Sequence, residues 1–69
     1  MPLTMANLGT QSSIKKVGGN AGTRKFLETL GFVAGSLVTV ITKIDGNIIV
    51  NIKEARVAIS KEMASKIYV

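Results

Sequence analysis

The sequence predicts a mainly β fold: a small, partly open antiparallel barrel of about five strands, with one helix after the first strand and a short helix near the C-terminus. With 69 residues, the chain buries only about 60% of the surface that it exposes when unfolded. That length predicts a single domain, residues 1–69, with one modest core. Its strand-like runs are short and separated by turn signals, and curling so small a sheet hides the edges of its strands.

The first strand is predicted over Ser12–Gly19. Its apolar residues, Ile14 and Val17, do not alternate cleanly with polar ones. Gly18 and Gly19 end the strand, because paired glycines favour a turn or a loop.

A helix is predicted over Ala21–Leu30, with Asn20 or Thr23 as its N-cap. The α-helical period of about 3.6 residues puts an apolar set on one face: Thr23, Phe26, Leu27 and Leu30. The charged residues fall on the other face: Arg24, Lys25 and Glu28. An amphipathic helix of this kind normally packs its apolar face against the core.

Two glycines are predicted to shape the chain after this helix. Gly31 stands where a left-handed C-terminal cap favours a residue without Cβ, and Phe32 can then fold back on Leu27. Gly35, preceded by Ala34, fits the third position of a type II turn, which requires positive φ. Backbone conformation, and not reactivity, selects the residue at both positions.

Three antiparallel strands are predicted to follow. The first, Ser36–Ile44, has apolar residues at both alternating positions, which predicts a strand covered on both faces. Asp45–Gly46 favours a two-residue turn of type I′. The second strand is predicted over Ile48–Lys53 and the third over Arg56–Ile59, joined by a poorer turn pair, Glu54–Ala55.

The C-terminal segment predicts a short helix and a closing strand. Ser60 is a natural N-cap, and three residues form the apolar face of the helix: Met63, Ala64 and Ile67. Glu62 stands four residues before Lys66, a spacing that favours an ion pair on a helix. Tyr68–Val69 is the candidate last strand. A small, partly open barrel of SH3-like type is the most economical way to hide the edges of so short a sheet.

Catalysis and intrinsic metal binding are not expected. The chain has no His and no Cys, so it lacks the usual general base near neutral pH, the usual thiolate nucleophile and the preferred ligands of transition metals. Its four acidic residues are scattered over helical faces and turns. We therefore predict a non-enzymatic protein with no catalytic residue and no metal site.

No cofactor is predicted either. The stretch GGNAG precedes the first helix, where backbone N–H groups can cradle a phosphate. However, Gly19 and Gly22 alone do not complete a dinucleotide-binding fingerprint, and the Lys-Ser/Thr pair of a Walker A motif is missing. The simplest interpretation is a flexible connection between strand and helix.

The net charge of +5 favours an anionic partner, such as nucleic acid, anionic lipid or an acidic protein surface. Adjacent basic residues occur only as the pairs Lys15–Lys16 and Arg24–Lys25. Few aromatic side chains are available to stack on nucleic-acid bases, because Phe26 and Phe32 are predicted to lie in the core. The nucleic-acid signal is therefore weak.

No signal peptide or transmembrane segment is predicted. The N-terminus lacks a basic start followed by an apolar run, and the longest uncharged stretch, Thr29–Thr42, is shorter than the ~20 residues that cross a bilayer. The lack of Cys fits a reducing compartment. Together these features predict a cytoplasmic protein.

The order of the elements and their glycines resembles the family of ferrous iron transport protein A, FeoA, whose members are small free-standing SH3-like domains. The matching residues run nearly end to end: Leu3, Ala6, Gly9, Ile14, Val17, Gly19, Leu27, Leu30, Gly31, Phe32, Gly35, Val38 and Val40. The tail VAISKEMASKIYV is similar to the family's closing pattern, which ends in Ile-x-Val. The chain departs from the family at Phe26, usually basic, at Ala34, usually proline, and around Glu54, where glycine is common.

This resemblance implies an accessory role in ferrous iron uptake at the cytoplasmic side of the membrane permease FeoB, near its G-protein domain, with an effect on nucleotide turnover or assembly. The alternatives are a basic barrel that binds nucleic acid and an interaction domain that acts with a metal-dependent repressor. The predicted contact surface joins the exposed helical face to the loop before it: Gly19, Asn20, Gly22, Arg24, Lys25 and Glu28. An apolar strand edge can also support weak self-association.

Overall fold

The computed structural model describes the whole chain, Met1–Val69, and confirms the predicted fold class. A short 3-10 turn at Leu3–Met5, which was not predicted, comes first. The strands and helices then follow in this order: β1 Gln11–Ser13, β2 Lys16–Val17, α1 Ala21–Thr29, β3 Leu37–Ile44, β4 Asn47–Ile52, β5 Ala55–Ser60, α2 Lys61–Ala64 and β6 Ile67–Tyr68.

The strands form two antiparallel sheets that do not join into a closed barrel. The larger sheet has four strands in the order β1-β3-β4-β5, and the smaller sheet pairs β2 with β6. An isolated bridge between Pro2 and Tyr68 adds the N-terminus to the smaller sheet. The barrel is therefore partly open, and β5 forms one edge of the larger sheet.

The first predicted strand is wrong as a single element, because the chain changes sheets within it. The Ile14 N–H donates to the Ser36 carbonyl at 2.9 Å, which is a contact beside β3. The next N–H, from Lys15, donates to the Tyr68 carbonyl of β6 at 2.7 Å. Ile14 is fully buried at this crossing. The change of partner explains why the run shows no clean alternation.

The prediction that β3 is covered on both faces is also wrong. Val38 and Val40 are buried, whereas Leu37 is 53% exposed and Ile44 is 51% exposed. The register against β4 shifts between Val40 and Thr42, so Ile41 is an extra residue in β3. The bulge moves the later side chains to the opposite face, so Ile44 is exposed although it alternates in step with the buried Val38 and Val40.

Both hairpins of the larger sheet have two-residue connections, but their turns differ from the prediction. At Asp45–Gly46 only Asp45 has positive φ, +51°, so the predicted type I′ turn is wrong. In the second hairpin Ile52 pairs with Ala55, so the turn residues are Lys53 and Glu54, not Glu54 and Ala55. Both take left-handed conformations, with φ of +48° and +64°. These residues are strained, because they carry a Cβ where type I′ turns favour Asn and Gly.

α1 ends in a Schellman arrangement. The Phe32 N–H donates to the Leu27 carbonyl at 3.0 Å, and the Gly31 N–H donates to the Glu28 carbonyl at 2.9 Å. Gly31 has φ of +103°. The turn that follows places Gly35, with φ of +90°, before Ser36, whose N–H donates to the Val33 carbonyl at 3.0 Å. This geometry returns the chain from the end of α1 to the start of β3.

The core is a cluster of 14 buried apolar residues drawn from both sheets, both helices and the N-terminal turn. Phe32, predicted to lie in the core, is its largest member and is fully buried. No polar or charged side chain is buried. The remaining members are Leu3, Ala6, Ile14, Leu27, Val38, Val40, Ile48, Val50, Ile52, Ile59, Ala64, Ile67 and Val69.

The C-terminal helix is shorter than its predicted apolar face. The Ser60 Oγ accepts from the Met63 N–H at 3.2 Å, which confirms the N-cap. Ile67, predicted on the helix, lies instead in β6, where it pairs with Val17. Because α2 ends at Ala64, Ile67 is buried as part of a strand and not as part of the helix.

Replacing Gly31 by Ala is expected to lower the free energy of unfolding by about 1–2 kcal/mol. The left-handed φ of +103° strains any residue with Cβ, and the new atom would lie 3.2 Å from the Lys53 Cδ. Chemical denaturation measures the effect. Gly46→Ala is the control, because Gly46 lacks positive φ and has open space around it. Equal stabilities of the two variants would contradict the proposed role of Gly31.

The double substitution Lys53→Asn/Glu54→Gly is expected to raise the free energy of unfolding by about 1 kcal/mol, because Asn-Gly is the favoured pair of a type I′ turn. Thermal unfolding measures the change. Ala55→Gly, one residue further on and within β5, should lower stability because glycine weakens a strand. A double variant less stable than the parent would show that the left-handed turn is not strained.

Candidate functional site

The predicted contact residues lie at the start of α1 and along its exposed side. The Asn20 Oδ1 accepts from the Thr23 N–H at 2.8 Å, so Asn20, and not Thr23, is the N-cap. Gly19 precedes the cap with φ of +91°, and a Cβ built there would lie 3.4 Å from the Thr23 Cγ2. The helix start is therefore fixed by a side-chain cap and by a glycine that allows close approach.

α1 lies on the surface with most of its nine residues exposed. Leu27 is its only buried residue, and Thr23 and Leu30 are half-buried. Phe26, predicted to pack in the core, is 47% exposed. The core-facing side is centred on Leu27, and a step of one residue turns about 100° around the helix, so the Phe26 side chain points sideways from the core.

The structure brings the six predicted contact residues together on one exposed surface, named here the α1 surface. The set is Gly19, Asn20, Gly22, Arg24, Lys25 and Glu28, and every member is exposed. Arg24 and Glu28 stand one helical turn apart, while Lys25 lies on the side facing away from Leu27. The α1 surface therefore offers two cations and one carboxylate on exposed turns of the helix, and its Gly22 lies one turn before Phe26.

The charged side chains make no ion pairs within 4.0 Å. The predicted pair between Glu62 and Lys66 is absent, and Glu28 does not pair with Arg24 or Lys25. The only Lys side chain with a hydrogen bond is Lys43, whose Nζ donates to the Thr4 carbonyl at 2.8 Å. The net charge of +5 is therefore not offset by local contacts with carboxylates.

Lys66, which the sequence did not place near α1, lies beside the loop at the N-terminal end of the helix. The Lys66 carbonyl accepts from the Gly18 N–H at 2.6 Å, and a Cβ built on Gly19 would lie 3.6 Å from the Lys66 Cγ. Lys16 Nζ lies 4.9 Å from the centroid of the Tyr68 ring, in cation–π contact. Pairing of β2 with β6 creates this neighbourhood, which no local pattern could reveal.

Two depressions mark the surface, and neither has the form of a closed ligand pocket. A groove of about 510 Å³ lies over the outer face of the larger sheet, lined by Gln11, Ser36, Leu37, Thr39, Asn51, Ile52, Lys53 and Glu54. A smaller one of about 190 Å³ lies between α1 and α2, lined by Thr23, Ser60, Glu62, Met63 and Lys66. No three acidic residues gather where they could hold a metal ion. No helix has the length and apolar character needed to cross a bilayer.

Comparison with protein families finds a match along the entire chain. The model described as the FeoA domain matches residues 1–69. A protein of Methanocaldococcus jannaschii, named for a role as Fe(2+) transport protein A, is 32% identical over 68 residues, which are 99% of this chain and 83% of the relative.

Solved structures share the fold. The FeoA of Stenotrophomonas maltophilia complexed with zinc, described as a procaryotic SH3 domain protein, superposes with a TM-score of 0.87 at 25% identity, over 100% of this chain and 88% of that one. A manganese-dependent transcriptional repressor superposes with a TM-score of 0.91 at 19% identity, over 100% of this chain but 40% of the repressor. At that identity the repressor shares the fold alone.

The stability of the protein should rise by about 0.5 kcal/mol when the salt concentration increases from about 0.01 M to about 0.1 M, because screening weakens repulsion among unpaired cations. Thermal unfolding in sodium chloride measures this. Lys25→Gln removes one exposed cation and should reduce the salt effect. A stability that falls with salt would instead show that attractive charge pairs stabilise the fold.

Proposed function

The chain belongs to the FeoA family, and on that premise we propose that it is a non-enzymatic accessory protein of ferrous iron uptake. It acts in the cytoplasm, where it binds the cytoplasmic side of a FeoB-type permease near the G-protein domain. The α1 surface makes the contact. Binding there influences the nucleotide turnover of the permease or the assembly of the transport complex.

The observation that carries this proposal is the exposure of α1 together with its unpaired cations. A helix that served only the core would bury a broad stripe, whereas α1 buries Leu27 alone. Arg24 and Lys25 lie exposed on it without an acidic partner. Exposed cations of this kind favour approach to an acidic surface and increase the rate of association.

The chemistry of the chain agrees with a binding role. Without His or Cys, general acid–base and thiolate catalysis lack their usual groups. The α1 surface offers backbone groups, two cations and one carboxylate, which can recognise a partner but do not supply a catalytic group. An effect on nucleotide turnover would therefore come from changing the conformation or position of the G-protein domain, and not from a group donated to the reaction.

Two other binding roles are tested alongside this proposal. The positive net charge favours nucleic acid as a ligand, and the repressor with the same fold suggests a regulatory partner. A nucleic-acid ligand would give an affinity that falls steeply with salt for any sequence. A regulatory partner would be a metal-dependent repressor that co-purifies with the protein. Titration with duplex DNA and co-purification from cells distinguish these roles from binding to the permease.

Reversing both cations of the α1 surface, Arg24→Glu/Lys25→Glu, should weaken binding to the cytoplasmic part of the permease by about tenfold or more, because attraction becomes repulsion. Isothermal titration calorimetry measures the affinity. The fold should persist, because both side chains are exposed and substitutions of exposed residues usually change stability little.

The control is Arg56→Glu/Lys61→Glu, which makes the same change of net charge on β5 and α2. An equal loss of affinity in both variants would show that only the overall charge matters and would contradict a contact through α1. An unaltered affinity in the α1 variant would do the same.

A further inference from the structure

We propose that Phe26 is the apolar anchor of the α1 surface and that its ring inserts into an apolar slot, bordered by carboxylates, on the partner protein. This inference rests on the proposed function, because it concerns the contact with the same partner. It adds a residue that the predicted contact set did not contain and specifies the chemistry of the surface that receives it.

Phe26 is a large apolar side chain that the fold leaves at the surface. Its side chain is 47% exposed, whereas the other phenylalanine, Phe32, is fully buried. Aromatic side chains supply large contact areas at small cost in conformational entropy, and they are enriched among residues that dominate binding. A half-exposed ring on a helix that contributes little to the core is therefore a candidate anchor.

Gly22 leaves the ring accessible. Long side chains on a helix lean toward its N-terminus and cover the residues three and four positions earlier. For Phe26 those positions are Thr23, which is half-buried, and Gly22, which has no side chain.

The fold does not require glycine at position 22. Gly22 has no left-handed φ, and a Cβ built there would meet only the Asn20 Oδ1 at 3.5 Å, an ordinary contact. Glycine is also a poor helix former. Packing therefore does not explain glycine at position 22, whereas access to the ring of Phe26 does.

The ring is held on a helix with both ends fixed. The Asn20 side chain caps the first turn, and the bonds around Gly31 close the last one. Within the last turn, the Thr29 Oγ1 donates to the Phe26 carbonyl at 2.5 Å. An anchor displayed on ordered backbone loses less entropy when it binds, which favours affinity.

The charges around Phe26 specify the rim of the receiving slot. Lys25, one position before Phe26 and about 100° from it around the helix, has no carboxylate within 4.0 Å, and Lys66 lines one depression with Thr23, the residue that the ring leans over. An apolar centre surrounded by polar and charged groups is the usual anatomy of a protein interface. An acidic rim on the partner would therefore complement the cations while the ring fills the slot.

The test compares four proteins in titrations against the cytoplasmic part of the permease: the parent, Phe26→Ala, Gly22→Leu and Leu37→Ala. Phe26→Ala removes the anchor, and Gly22→Leu covers the ring without changing the charge. Leu37→Ala is the matched control, because Leu37 is also apolar and 53% exposed but lies on β3. Thermal unfolding of each protein verifies that the fold is retained.

We expect Phe26→Ala and Gly22→Leu to bind about tenfold more weakly than the parent, and Leu37→Ala to bind within about twofold of it. If the parent binds and Phe26→Ala binds as well as Leu37→Ala, the anchor is disproved while the proposed function stands. If the parent does not bind, the proposed function fails and the anchor fails with it. Vesicles of anionic phospholipid are the second probe. If binding to the vesicles depends on Phe26 while binding to the permease does not, the ring inserts into lipid and the proposed protein slot is wrong.

Discussion

The end of α1 at Gly31 is the constraint on which the other parts of the structure depend. The two hydrogen bonds that close the helix place Leu27 on one side of Gly31 and Phe32 on the other, and both side chains are fully buried. The helix is therefore attached to the core at its C-terminal end. With so few of its residues buried, the rest of α1 remains free for contact with another molecule.

The same constraint connects the fold to its second strained feature. A Cβ on Gly31 would meet the Lys53 side chain, which belongs to the left-handed turn between β4 and β5. The end of the helix and the turn of the hairpin thus pack against each other. The absence of a side chain at Gly31 lets the lysine stem lie close to the end of the helix, so the residue at one position affects packing at another.

Local chemistry explains what could be predicted from the sequence. The caps Asn20 and Ser60 and the two hairpins depend on residues close in the chain, and the glycine pattern around α1 is equally local. The change of sheets at Ile14, the bulge at Ile41 and the exposure of Phe26 depend on distant partners and on the rotation of the helix. For the site, the sequence indicated Arg24 and Lys25 but could not place Lys66 beside the loop before α1. Lys66 is positioned by the pairing of the second and last strands.

Under the proposed function, the permease binds to the α1 surface. Cross-saturation NMR tests it most directly, because irradiation of the unlabelled cytoplasmic part of the permease transfers saturation only to amides of the labelled protein that lie at the contact. Binding through the α1 surface predicts attenuation of amides in residues 19–29 and little attenuation along β4. Attenuation confined to the groove over the outer face of the larger sheet, with α1 unaffected, would contradict it.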